Sequence, residues 1–84
     1  MKLPVIKHIS NFIEEHDVDF VHESIELLEY LSESPGIKDE ELDVIGELLS
    51  NMYGSIEVQK KIEEGVPQRE ALNGFMQRVM GSIN

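Results

Sequence analysis

The side chains best suited to chemistry crowd one short stretch: His16, Asp17, Asp19, His22, Glu23 and Glu26. His22 follows Asp19 by three positions and precedes Glu26 by four, so the three share one face of a helix. Imidazole and carboxylate are the groups that hold a divalent metal ion. The spacing matches no zinc or calcium loop, however, and each residue also has a local role. His16 falls at the end of one helix, where a cationic ring meets the negative end of the dipole. Asp17 is placed to cap the next helix, and the remaining acids read as a solvated face. A small metal- or ligand-binding protein using His16, Asp19 and His22 is therefore the alternative reading, and the preferred one calls for no cofactor.

Other chemistries find less support. There is no cysteine, which removes thiol catalysis, disulfides and thiolate metal sites together, and fits a reducing compartment. No Gly-x-Ser-x-Gly elbow, Gly-x-Gly-x-x-Gly turn or Walker-type loop occurs. All three histidines lie within the first 22 residues, and the serines sit beside turns or caps. Carboxylates are abundant, but a general acid needs a desolvated site in a cleft, and these acids fall on outer faces. The sequence points to a non-enzymatic protein. Gly54-Ser55-Ile56-Glu57-Val58 is similar to the modified-serine segment of acyl carrier proteins, which are also small, acidic and helical. Gly54 stands where that motif requires Asp, the serine lies too late in the chain, and Ile56-Val58-Ile62 is too short for the recognition helix.

Seventeen acids against seven bases give a net charge of −10 over 84 residues. Such a chain is repelled by nucleic-acid phosphates and anionic membranes and attracts basic surfaces. From His8 to Gln59 there are 14 acids and one base, Lys38, whereas Lys60 to Asn84 carries four bases and three acids. No apolar run approaches the roughly 20 residues that span a bilayer, and the opening Met1-Lys2-Leu3-Pro4-Val5-Ile6-Lys7 turns polar too soon for a signal peptide. A cytoplasmic location is expected.

These residues are positioned by elements that recur at helical spacing. The pattern predicts a helix from about Pro4 to Glu15 with the stripe Val5, Ile6, Ile9, Phe12 and Ile13. A second helix follows from Val18 to about Glu33, stopped by Ser34-Pro35-Gly36. Phe20, Val21, Leu27, Leu28 and Leu31 face its core, with Ser24 among them. Asp19, Glu23, Glu26, Glu29 and Glu33 face outward with His22. A third helix begins near Lys38 or Asp39, with Asp39, Glu40 and Glu41 in the dipole-favoured first turn. Its seam is Leu42, Ile45, Leu49, Met52 and Ile56. Beyond Ile56, Val58 and Ile62 lie on another face. Either the helix kinks near Gly54-Ser55, or it continues and its far end meets a different partner. Gly65 reads as a helix C-terminal residue and Pro67 as the first turn of a last helix carrying Leu72, Phe75, Met76 and Val79.

The fold expected is all-α: a small four-helix bundle-like domain spanning residues 1–84, with Leu27, Leu31, Ile45, Leu49, Phe75 and Val79 in its core. A chain this short has little stability to spare. Val58 and Ile62 need cover, so a homodimer is a further expectation. The function expected is a protein-interaction module, serving as adaptor, regulator or subunit. Its acidic helix face, Asp19, Glu23, Glu26, Glu29 and Glu33, would meet a protein partner with a basic surface. Neighbouring like charges on that face, such as Glu26 with Glu29 and Glu29 with Glu33, each cost a little helix stability.

The opening Met1-Lys2-Leu3-Pro4-Val5-Ile6 and the run Glu40-Glu41-Leu42-Asp43-Val44-Ile45-Gly46-Glu47-Leu48-Leu49-Ser50-Asn51 carry a further signal. Through them nearly the whole chain resembles an uncharacterised family of short acidic bacterial proteins, a domain of unknown function. The resemblance implies no assigned activity, and implies company with thioredoxin-type and peroxiredoxin-type proteins. Without cysteine, this chain would serve such a system only as a partner.

Overall fold

A computed structural model describes residues 1–81. Four helices follow one another along the chain: α1 (Leu3–Glu15), α2 (Asp19–Leu31), α3 (Asp39–Glu63) and α4 (Gln68–Gly81). The all-α, bundle-like fold expected from the sequence is present. Local signals set most of the boundaries. Asp17 Oδ1 accepts the Asp19 N–H at 3.0 Å and so satisfies one of the free donors opening α2. At the start of α3, Glu41 Oε1 accepts the Lys38 N–H at 2.9 Å, and Asp39, Glu40 and Glu41 occupy the first turn. Lys60 and Lys61 stand in its last turn, complementing the opposite end of the dipole. Beyond Glu63, Gly65 adopts φ 101°, a left-handed conformation that side chains disfavour. Gly65 N–H then bonds to Ile62 O and Val66 N–H to Lys61 O, both at 3.0 Å, which is the Schellman closure. Helix α2 stops two residues earlier than its pattern implied, at Leu31, with Ser34 N–H turning back to Leu31 O.

Helix α3, 25 residues and about 37 Å long, is the spine. It runs unbroken through Gly54, so the continuous alternative is the observed one. Its seam of Leu49, Met52 and Ile56 packs against Ile13 of α1 and Val21 and Ile25 of α2. Farther along, Val58 turns to a second cluster with Ile6 of α1 and Ala71, Leu72 and Phe75 of α4, and Ile62 packs against it. The register change beyond Ile56 thus marks the passage from one set of partners to another. Val58 is fully buried within the chain, which removes the argument for a dimer that rested on it.

Two small clusters strung along one helix make a slab of 42 × 35 × 16 Å, with a radius of gyration of 13.7 Å against about 12 Å for a rounded domain of this length. A slab leaves more apolar surface outside, and here the expected core needs correction. Phe75 is buried, while Ile45, Leu49 and Val79 are half-buried. Leu27 and Leu31 are exposed, at 60% and 40%. The buried stripe of α2 is Val21 and Ile25, with Leu28 half-buried behind them. It lies one residue, or about 100°, around the helix from the Phe20–Ser24–Leu27–Leu31 stripe.

Buried polar groups complete the packing. Asn51 Oδ1 accepts the Lys2 N–H at 2.8 Å, so α1, whose own cap residue provides no side-chain bond, is capped from α3. Gln68 Nε2 donates to Ser10 Oγ at 3.1 Å and Asn11 Oδ1 at 2.9 Å, tying the start of α4 to α1.

Candidate functional site

Helices α2 and α3, joined by residues 32–38, form a helical hairpin whose far half projects beyond α1. It carries the charge of the molecule. Residues 17–47 contain eleven of the seventeen acids and one of the seven bases, which accounts for the entire net charge of −10. The other residues hold six acids and six bases.

All five acids expected to meet a partner are exposed: Asp19, Glu23, Glu26 and Glu29 on the outside of α2, and Glu33 in the turn just beyond its end. Among the described residues none of them pairs with a lysine or arginine. The ion pairs there are Met1 with Glu47, Lys61 with Glu64, and Arg78 with Glu57. Glu29 has a different partner: the Tyr53 hydroxyl of α3 donates to Glu29 Oε2 at 2.7 Å. That bond, more than the accompanying desolvation and charge, raises the Tyr53 phenol above its ordinary value, because ionising it breaks the bond and opposes two anions. At the hairpin's middle the terminal ammonium of Met1 lies 2.7 Å from Glu47 Oε1 and lowers the pKa of that carboxyl.

The histidines do not converge. His16 lies against Phe12, with centroids 4.4 Å apart, and meets Phe20 at 6.0 Å, so its ring belongs to an aromatic triplet. Among the described residues no three His, Asp or Glu side chains gather as a metal ion requires.

The sequence pattern did not reveal a surface next to the acids. Phe20, Ser24, Leu27 and Leu31, spaced four, three and four, form a second apolar stripe on α2, with Phe20 and Leu27 more than half exposed. The Ser24 hydroxyl is spent on Phe20 O at 2.7 Å and makes no further polar demand. Its first part, Phe20 and Ser24, with Val21 beside them, forms one wall of a groove of about 290 Å³. His8, Ile9 and Phe12 of α1 form the other wall and Met52 of α3 lies in it. Helix α3 repeats the pattern. Val44, Leu48, Asn51, Ser55 and Val58 share a face, and α1 covers its later part through the Lys2–Asn51 bond and the Ile6–Val58 cluster. Because α1 starts beside Asn51, Val44 and Leu48 are left bare, at 59% and 41% exposure. Both stripes flank α1, so both open on the same side of the hairpin. The available signal was that α2 carries two apolar stripes while a small fold has helices enough to cover one.

A model of a family of unknown function, DUF6952, matches residues 1–84. The chain belongs to that family. As a DUF6952 member it is a match from end to end, in agreement with the resemblance carried by its opening residues and the Glu40–Asn51 run. No curated protein and no solved structure matches it. Among the described residues of this DUF6952 chain no helix is long and apolar enough to cross a membrane.

Proposed function

We propose that this protein is a non-enzymatic interaction module, an adaptor, regulator or subunit, whose acidic α2 face binds a protein partner through a basic surface. The observation that supports the reading is the charge distribution. One hairpin holds the whole net charge, and the four outer acids of α2, with Glu33 just beyond it, are without cationic partners among the described residues. Unpaired like charges within a turn of one another cost helix stability, and a complementary partner would remove that cost while steering the encounter. The same charge argues against nucleic acid and anionic membrane as partners. A cytoplasmic location accords with the absence of cysteine.

The test is affinity capture from native lysate with the full chain, beside a variant carrying Asp19→Asn, Glu23→Gln, Glu26→Gln, Glu29→Gln and Glu33→Gln. The reading expects a partner retained by the wild type, released by salt and lost from the variant. Identical retention by both chains would reduce the acidic face to a solubilising surface.

A further inference from the structure

We infer that the bare side of the α2–α3 hairpin is a docking groove for an amphipathic, positively charged helix of a partner protein. The inference rests on the interaction reading above and adds to it the surface, the shape and the chemistry of the occupant. Two apolar stripes frame the slot: Leu27 and Leu31 from α2, and Val44 and Leu48 from α3. Each belongs to a helical face whose neighbouring part is covered by α1 or lines a groove with it. The uncovered part lies beyond the start of α1, and another helix laid there would continue its layer. Helix-in-groove recognition reads such a slot through residues at i, i+3, i+4 and i+7 of the incoming helix. From Leu27 to Leu31 the bare stretch runs about 6 Å at 1.5 Å per residue, roughly one turn, and Val44 to Leu48 gives the same length on the other wall.

Charge decides between the possible occupants. Exposed apolar surface of this kind also serves self-association, but apposing two hairpins would bring eleven acids of residues 17–47 against eleven more, with one lysine on each side. A like-charge rim of that density disfavours a second copy. A foreign helix with an apolar stripe and lysine or arginine along its flanks instead buries the leucines and neutralises the rim.

The probe is a fluorescent synthetic peptide of five helical turns, with leucines along one face and lysines and arginines elsewhere. Its control is a scrambled peptide of the same composition and charge but without the stripe. Anisotropy titrations with the full chain are run at low and moderate salt. The striped peptide is expected to bind at micromolar protein and to gain helical circular dichroism. The scrambled one should bind at least about tenfold more weakly. Leu27→Ser with Leu48→Ser leaves every charge in place and should weaken the striped peptide by about tenfold or more. The melting curve checks that this variant folds, and the milder Leu31→Ala with Val44→Ala should give a smaller loss in the same direction. Equal binding of both peptides, or no effect of the leucine changes, would overturn the groove while leaving a basic partner for the acidic face. No binding of either peptide would overturn both. A chain that sediments as a dimer, and becomes monomeric on the leucine changes, would make the occupant a second copy and overturn the foreign helix.

Discussion

Gly54 of α3 and Phe75 of α4 meet with no room for a side chain between them: a Cβ on Gly54 would stand 3.0 Å from Phe75 Cζ, and as close to Ile6 Cδ1. Three helices converge at this point, and the glycine inside a long helix is explained by that approach, since the helix does not break there. The contact sets a first prediction. In an open helical position Gly→Ala stabilises by about 0.5–1 kcal/mol. Gly46 of α3 and Gly74 of α4 are such positions, where an added methyl would find nothing within 4 Å, and both alanine variants should raise the melting temperature. At Gly54 the same methyl must push Ile6 and Phe75 aside, and overpacking costs about 1–3 kcal/mol. Gly54→Ala should therefore be net destabilising by about 1 kcal/mol. Denaturant titrations of the three variants check the reversal of sign.

Two neighbours on α2 separate the buried stripe from the bare one. Ile25 is 5% exposed and belongs to the cluster with Ile13 and Val21, while Leu27 is 60% exposed. Ile25→Ala should cost about 2–5 kcal/mol, a large share of the stability of so small a fold. Leu27→Ala should change stability by no more than about 0.5 kcal/mol. Equal losses at the two positions would mean that Leu27 is covered in solution.

The Tyr53–Glu29 bond has an alkaline signature. The Tyr53 phenol is raised above 10.0 by its hydrogen bond to Glu29. Its contribution to stability is fully present below the unfolded value and is lost as pH rises through the higher folded one. In a Tyr30→Phe background, phenolate absorbance should show a single transition displaced upward. Glu29→Gln should move it back towards the ordinary value. An unmoved transition would mean that the bond does not form in solution.

Glu47 reports the opposite limb. Its carboxyl is lowered from 4.5, chiefly by its hydrogen bond from the Met1 ammonium. A depressed acid contributes stability that is present above the unfolded value and lost as pH falls through the folded one. Glu47→Gln should lower the melting temperature slightly at neutral pH, and the two profiles should converge as pH falls below about 4.5, where the wild type loses the same contribution. Added salt should narrow the difference between the two chains, since the pair is open to solvent.

Helix number, type and most end points were decided by local residues, because a cap or a turn is a contest among groups a few positions apart. The Asp39-Glu40-Glu41 run, Lys60 and Lys61, Gly65 and Pro67 each act within one turn of their own helix end, so their meaning survives without knowledge of the neighbours. The acidic outer face of α2 was legible for the same reason, since charges spaced around a helix turn away from any core. Tertiary structure decided everything that depends on which surfaces are brought together. Leu27 and Ile25 are equally apolar, and only the placement of α1 and α3 buries one and leaves the other bare. The cap of α1 comes from Asn51, far away in sequence, and no local pattern announces it. Gly54 looks like a helix breaker in sequence and proves to be a point of close approach, because its role is defined by the side chains of two other helices. The docking groove falls in this second category. It exists because α1 starts beside Asn51 and leaves the hairpin beyond that point uncovered, a relation between positions in space that no single stretch of the chain contains.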